Sequence, residues 1–280
     1  MSMNKLLVLR LSVVGRVLIK LLIFTLLTLF TQIGGIIYIL SLLLTRLRPT
    51  TPSRRMTKLL IFLSLYLFAT AILAPLVAPL FGREKIKNTS NIRPANFAYV
   101  LLNRNYVKPA LNQLLQNTAN YLLEEQSTIE IRYLDANFPF INKFPLLPHL
   151  SHNDGKKIDI SFVYQNKDGQ LTNKQKSISG YGVFVAPTAN EYNQIEKCIN
   201  AGHTQYDFTK HTHLGRINKE LHFSKTDTKL LIKALLTNKS LGKIFIEPHL
   251  KTRMGLNNDR IRYQGCHAVR HDDHIHVQLK

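Results

Sequence analysis

The chain of 280 residues is long enough for one good core and a further module, and its charge is unevenly spread. Residues 1–81 hold nine Lys/Arg and no acid, so the formal +20 of the whole chain falls to +11 over residues 82–280, where 28 Lys/Arg face 17 Asp/Glu. A basic surface attracts polyanions without choosing among them, and two cysteines are too few for a zinc–thiolate site, so a metal here must use His and carboxylates.

Residues 1–20 are basic yet fairly apolar and suited to lying along a membrane surface. Two apolar runs follow, Leu21–Leu44 and Leu59–Phe81. Each is about 23 residues, which at about 1.5 Å per residue crosses a hydrocarbon core of about 30 Å. A cleavable signal peptide has a shorter apolar region and no second span, so the expectation for residues 21–81 is a two-helix transmembrane hairpin. The loop 45–58 between the runs carries five basic residues and reads as cytoplasmic by the positive-inside rule. That orientation sends both the N-terminus and residues 82–280 to the outer side.

Residues 82–96 read as a linker and 97–280 as the soluble domain, with its core at 145–280. Helical spacing of Val107, Leu111, Leu114, Leu115, Tyr121 and Leu122 predicts an amphipathic helix over 106–126. Alternation predicts a strand at 128–133, and three prolines over 136–150 argue against regular structure there. Strands are expected at 158–164, 244–247 and 274–279, and helices at 190–201 and 226–238. Strands and helices mix without βαβ regularity, which favours an α+β fold, expected as a small antiparallel sheet with flanking helices.

All eleven histidines lie from His149 onward. On a strand, residues two apart share a face, so His274 and His276 project together while Ile275, Val277 and Leu279 face the core. Asp159 sits inside the apolar stretch Ile158–Phe162, and a carboxylate there needs a partner. His152, in a loop bent by Asp154-Gly155, folds back toward it. Two imidazoles and a carboxylate suit zinc with one position open. The pair His211/His213 lacks apolar alternation and a placed carboxylate, and reads as a solvated or substrate-facing loop. Tyr181 between two glycines reads as core or turn packing, and Arg262 and Arg270 as surface charge. Cys198 and Cys266 are either a disulfide or two buried thiols; the bridge would close a loop worth roughly 4 kcal/mol in the chain-entropy model.

These patterns resemble the zinc peptidases grouped as lysostaphin-type enzymes, D-alanyl-D-alanine metallopeptidases and hedgehog-like domains, and more narrowly the penicillin-insensitive murein endopeptidases. The H-x6-D and H-x-H of that family are matched by His152/Asp159 and His274/His276, and its further histidines by His149 and His271. The segments LGKIFIEPHLK (Leu241–Lys251) and HDDHIHVQL are similar too. The resemblance covers roughly residues 145–280. It implies a Zn2+ ion held by His152, Asp159 and His276, and His274 as the base for the attacking water. It implies His271 as a catalytic partner, with His149 supporting the site or touching substrate. It also implies cleavage of peptidoglycan cross-link peptides on the periplasmic side of a bacterial inner membrane. Nucleic acid is not expected as a partner. A non-catalytic, zinc-containing cell-wall or peptide-binding module of the same fold is the alternative.

Overall fold

A computed structural model describes residues 3–46 and 54–280; residues 47–53 of the basic loop lie outside the described residues. The chain is mixed α+β with small sheets, preceded by apolar helices. The apolar run expected as one span is split. Helix α1 covers Met3–Thr31 and α2 covers Gly34–Arg46, with a left-handed Gln32 (φ 65°) between them. The segment 1–20 therefore belongs mostly to α1. A Cβ on Gly35 would fall 2.0 Å from Thr28 Oγ1 and 2.8 Å from the carbonyl of Phe24. Residues eleven apart lie about 16 Å apart along a straight helix, so the chain doubles back, and the Gly34-Gly35 pair is what lets the two backbones meet. Thr31 Oγ1 accepts from Gly34 N at 2.8 Å and so caps α2.

Helix α3 (Arg54–Phe68) continues through a π-helical stretch Ala69–Leu73, a turn Ala74–Val77 and a 3-10 turn Ala78–Phe81. The π-helical stretch abuts Pro75, whose ring and missing N–H disrupt the preceding turn. Among the described residues two stretches are long and apolar enough to cross a membrane, Val13–Thr31 and Met56–Phe81; α2, at 13 residues, is shorter. Tyr38 on α2 meets Phe62 on α3.

Residues 82–96 are not a linker. Arg83, Ile86 and Ile92 are buried, Glu84–Lys85 pairs with Tyr106–Val107, and Ile92–Pro94 is an edge strand, β1. The remaining strands of this sheet are β2 (Ile131–Tyr133), β3 (Lys157–Ser161), β4 (Leu241–Phe245), β5 (Ile261–Arg262) and β6 (His274–Leu279). Their order is β5-β4-β6-β3-β2-β1. The inner pairs are antiparallel, but β5–β4 and β2–β1 are parallel, so the sheet is mixed rather than antiparallel. Parallel neighbours need a crossover, supplied for β1–β2 by a path through helix α4 (Pro109–Glu124). Pro109 opens α4 at the position where its missing N–H costs nothing. The core thus begins well before residue 145.

Leu111, Leu114, Leu115 and Leu122 of α4 pack with Leu231, Ile232 and Leu235 of α6 (Lys225–Leu236) against Ile158, Ile160, Ile275 and Val277. Burying each such side chain stabilises by about 1.5–3 kcal/mol. The shorter helices are α5 (Gln194–Asn200), between α4 and α6, and α7 (Pro248–Arg253), after β4. Tyr164–Gln165 leaves the large sheet for a separate three-stranded one with Leu171–Thr172 and His222–Phe223. Because apolar residues alternate on β3 and β6, Asp159, His274 and His276 are left on the face opposite the helices.

Candidate metal centre

Register brings the strand-borne residues together: His276 on β6 stands directly across from Asp159 on β3, and His274 from Ser161. The third residue, His152, lies in the irregular segment before β3. Its Nδ1 donates to the carbonyl of Ala136 at 2.9 Å, which turns Nε2 inward as a lone pair. Nε2 of His152 lies 3.1 Å from His276 Nδ1 and 3.3 Å from Asp159 Oδ1, and His276 Nδ1 lies 2.8 Å from Asp159 Oδ1. All three residues are buried and form a cluster able to hold a metal ion. Ligands about 2.0–2.1 Å from a tetrahedral zinc are about 3.3 Å from one another, so the triangle is slightly contracted but close to that size. His149, His274 and His276 each keep a buried Nε2 without a partner. Leaving a buried polar atom unpaired costs about 1–3 kcal/mol, and the unpaired nitrogens of His149, His274 and His276 fit side chains kept for a ligand.

The surrounding side chains set the orientation of these rings. Asp273 Oδ1 accepts from His274 Nδ1 at 2.5 Å, and its Oδ2 accepts from Gly182 N at 2.6 Å, so His274 presents Nε2 to the cluster, 3.7 Å from Asp159 Oδ1. Tyr181 is buried and donates its hydroxyl to Asp159 Oδ2 at 2.8 Å while accepting from Asp135 N, leaving Oδ1 for the two imidazoles. Positive φ at Gly180 and Gly182 aims it there, and a Cβ on Gly182 would sit 2.5 Å from the carbonyl of Thr209. Tyr181 is thus a supporting residue of the site rather than simple core packing. Arg104 grips Asp135 through Nε (2.6 Å) and Nη2 (3.0 Å), and Asp135 Oδ2 accepts from His149 Nδ1 at 3.1 Å. Glu247 Oε1 accepts from the backbone of His271 and Oε2 from Tyr206, fixing His271 with its ring 4.9 Å from that of His274.

Charge follows the geometry. Burial favours a neutral Asp159, but His152 and His274 beside it hold its carboxyl well below the usual range. Burial would lower His274, yet the charges of Asp159 and Asp273 outweigh it and lift the ring to about 9. Burial pulls His276 down to about 4, opposed by its bond to Asp159. His271 falls well below its ordinary value, through burial and then repulsion from His274 and His276. The metal-free site therefore sets neutral His271 and His276 and a protonated His274 beside the carboxylate of Asp159.

A cleft of about 670 Å³ opens onto these rings. One wall is Leu147–His152 and the other includes Gln264 and His267–Val269, with His271, His274 and His276 at its floor. Cys198 and Cys266 form a disulfide that ties α5 to this second wall. Arg270 is not surface charge: it is buried, paired with Asp272 and Asp207, and lies 3.8 Å over the ring of Phe184. Arg262 is exposed, bonding the carbonyl of Asp259. His211 is exposed, and His213 Nδ1 accepts from Gly215 N; neither joins the cluster. Sequence reasoning missed Asp135, Arg104 and Asp273. Only Asp273, adjacent to His274, left a local signal. Neither protein-family models nor characterised proteins match the chain.

Proposed function

We propose that the chain is a membrane-anchored zinc metallopeptidase that hydrolyses amide bonds in peptidoglycan cross-link peptides. The observation that carries this reading is the buried convergence of His152, Asp159 and His276, with the free Nε2 of His274 beside it. Two imidazoles and a carboxylate fit zinc, and the ion when bound would polarise a carbonyl and acidify water. The protein's own groups do the rest. His152 and His276 offer lone pairs, and Tyr181 keeps Asp159 from rotating. Asp273 holds His274 in the tautomer whose Nε2 takes up a proton and returns it to the leaving amine. The charges of Asp159 and Asp273 lift His274 in the metal-free site; a bound dication would share the charge of Asp159 and so lower the ring. His149 and His271 reach the cleft as hydrogen-bonding groups for the substrate. The peptidoglycan substrate rests on the family resemblance.

Orientation has its own support. Gln32, at the α1–α2 turn, accepts from Phe140 N of the folded domain. At their other ends α1 and α2 therefore both lie away from that domain. Five of the nine Lys/Arg of residues 1–81 fall from Arg46 to Lys58, and Lys5 and Arg10 precede the apolar stretch Val13–Thr31, which itself holds Arg16 and Lys20. By the positive-inside rule that side is cytoplasmic and the domain periplasmic, with the N-terminus inside rather than outside.

The test uses the full chain in detergent: zinc stoichiometry, then incubation with purified muropeptide dimers. The expected outcome is one zinc and loss of dimers, with His274→Ala retaining zinc but slowed by about 10²–10⁴-fold. Dimers that persist with zinc fully loaded would leave the binding-module reading instead.

A further inference from the structure

Two loops of the folded domain rest against the apolar helices, and both carry large apolar side chains that nothing in the domain covers. Residues 97–104 touch α3, where Tyr66 donates to the carbonyl of Leu101 and Asn103 bonds Tyr66 and Thr70. Residues 138–150 touch the α1–α2 turn through Phe140 N, and the ring of Phe140 packs 5.1 Å from that of Phe81. On these loops Phe97 is 64% exposed, Leu150 56% and Ile141 53%, with Leu101 and Leu147 also exposed. Leu76 and Leu80 of the Met56–Phe81 stretch are exposed as well.

Depth identifies what covers it. From Lys58, the last charge before Phe81, to Tyr66 is eight residues, or about 12 Å of helix, and to Phe81 about 35 Å, against a hydrocarbon core of about 30 Å. The loop contacts at Tyr66 and Thr70 thus fall partway along a stretch that lipid must surround if it crosses a membrane. Polar backbone at that depth is tolerated where protein buries it, and here Asn103 and Arg104 are buried while the apolar side chains face out.

We infer that this face, with Phe97, Ile141 and Leu150 at its rim, docks into the hydrocarbon of the bilayer beside the helices. The inference rests on the membrane-anchored reading but not on peptidase activity. Because Leu147 and Leu150 also line the cleft, the mouth of the site then opens at the lipid surface. Peptides on membrane-anchored chains would reach it ahead of peptides in distant wall.

The chain has no tryptophan, so single substitutions report alone. Full-length Phe97→Trp, Ile141→Trp and Leu150→Trp are reconstituted in phosphatidylcholine/phosphatidylglycerol vesicles with and without brominated acyl chains. Leu63→Trp on α3 marks the span, and Leu123→Trp, exposed at the far end of α4, marks the solvent side. The expected result is bromine quenching at 97, 141 and 150 comparable to that at 63, with none at 123. Quenching at 63 alone overturns the docking and leaves the anchor standing. No quenching at 63 either overturns both.

Discussion

The metal cluster and the apolar helices are held by contrasting means. In the sheet, position follows from period: alternate residues of β3 and β6 face the core, so Asp159, His274 and His276 must face the other way, and register puts His276 across from Asp159. In the helical part every side is apolar, and hydropathy fixes no arrangement. There the geometry is set by a close approach at Gly34-Gly35 and a left-handed Gln32. A periodic pattern survives many substitutions but fails when one functional atom is removed. A close approach tolerates changes of polarity but fails when one Cβ is added.

The sharpest break of the first kind is Asp159→Ala. It removes the carboxylate shared by His152 and His276 and leaves their nitrogens facing each other across 3.1 Å. Metal content should fall to the level of a metal-free preparation, while His211→Ala, outside the cluster, keeps full occupancy. Retention of stoichiometric zinc by Asp159→Ala would show that the ligand assignment is wrong. Tyr181→Phe is subtler: the ring still packs, but Asp159 Oδ2 loses its donor. Partners that orient ligands are worth about 10–100-fold in metal affinity, so zinc competition with a chelator should show a loss of that order with the fold intact.

These contrasts explain what was legible. The strand ending in His274–Leu279 and the carboxylate Asp159 announce themselves by alternation, and α4 and α6 by apolar spacing. Asp135 does not, since it reaches the cluster from a separate turn with no local pattern, and Tyr181 is marked only by its flanking glycines, which show a turn but not what the hydroxyl meets. The strand Ile92–Pro94 is three residues ending in proline, too short for a period, and was legible only as linker; its role comes from pairing with Ile131–Tyr133. The break in the first apolar run was hidden because hydropathy stays high across it, although the Gly-Gly pair was its one mark.

Arg83 tests whether the two regions are independent. It is fully buried where the chain leaves the helices, and its guanidinium reaches the carbonyl of Phe138, Asn142 Oδ1 and the carbonyl of Asn153. Those acceptors flank the segment that carries His149 and His152. Burial lowers its guanidinium, opposed by the charge of Asp154. Arg83→Met keeps the volume and leaves the acceptors unpaired, at about 1–3 kcal/mol for each one that water cannot reach. The expected outcome is a lower thermal midpoint together with weaker zinc binding. A lower midpoint with unchanged zinc affinity would mean that the site does not feel the exit of the helices.

The smallest effect on the site is expected from Gly35→Val. Its Cβ would meet Thr28 Oγ1, which rotates away easily, and the backbone carbonyl of Phe24, which does not. The helices must separate or tilt, and overpacking of this kind costs about 1–3 kcal/mol. The strain lies on α1 and α2, and the hydrogen bond from Phe140 N to Gln32 links their turn to the segment ahead of His149. Reduced stability in detergent, with zinc stoichiometry and affinity at the level of the parent chain, is therefore the expected result. Loss of zinc in Gly35→Val would mean that the Gln32–Phe140 bond transmits helix packing to the metal cluster, and the contrast between the two regions would then be one of origin but not of function.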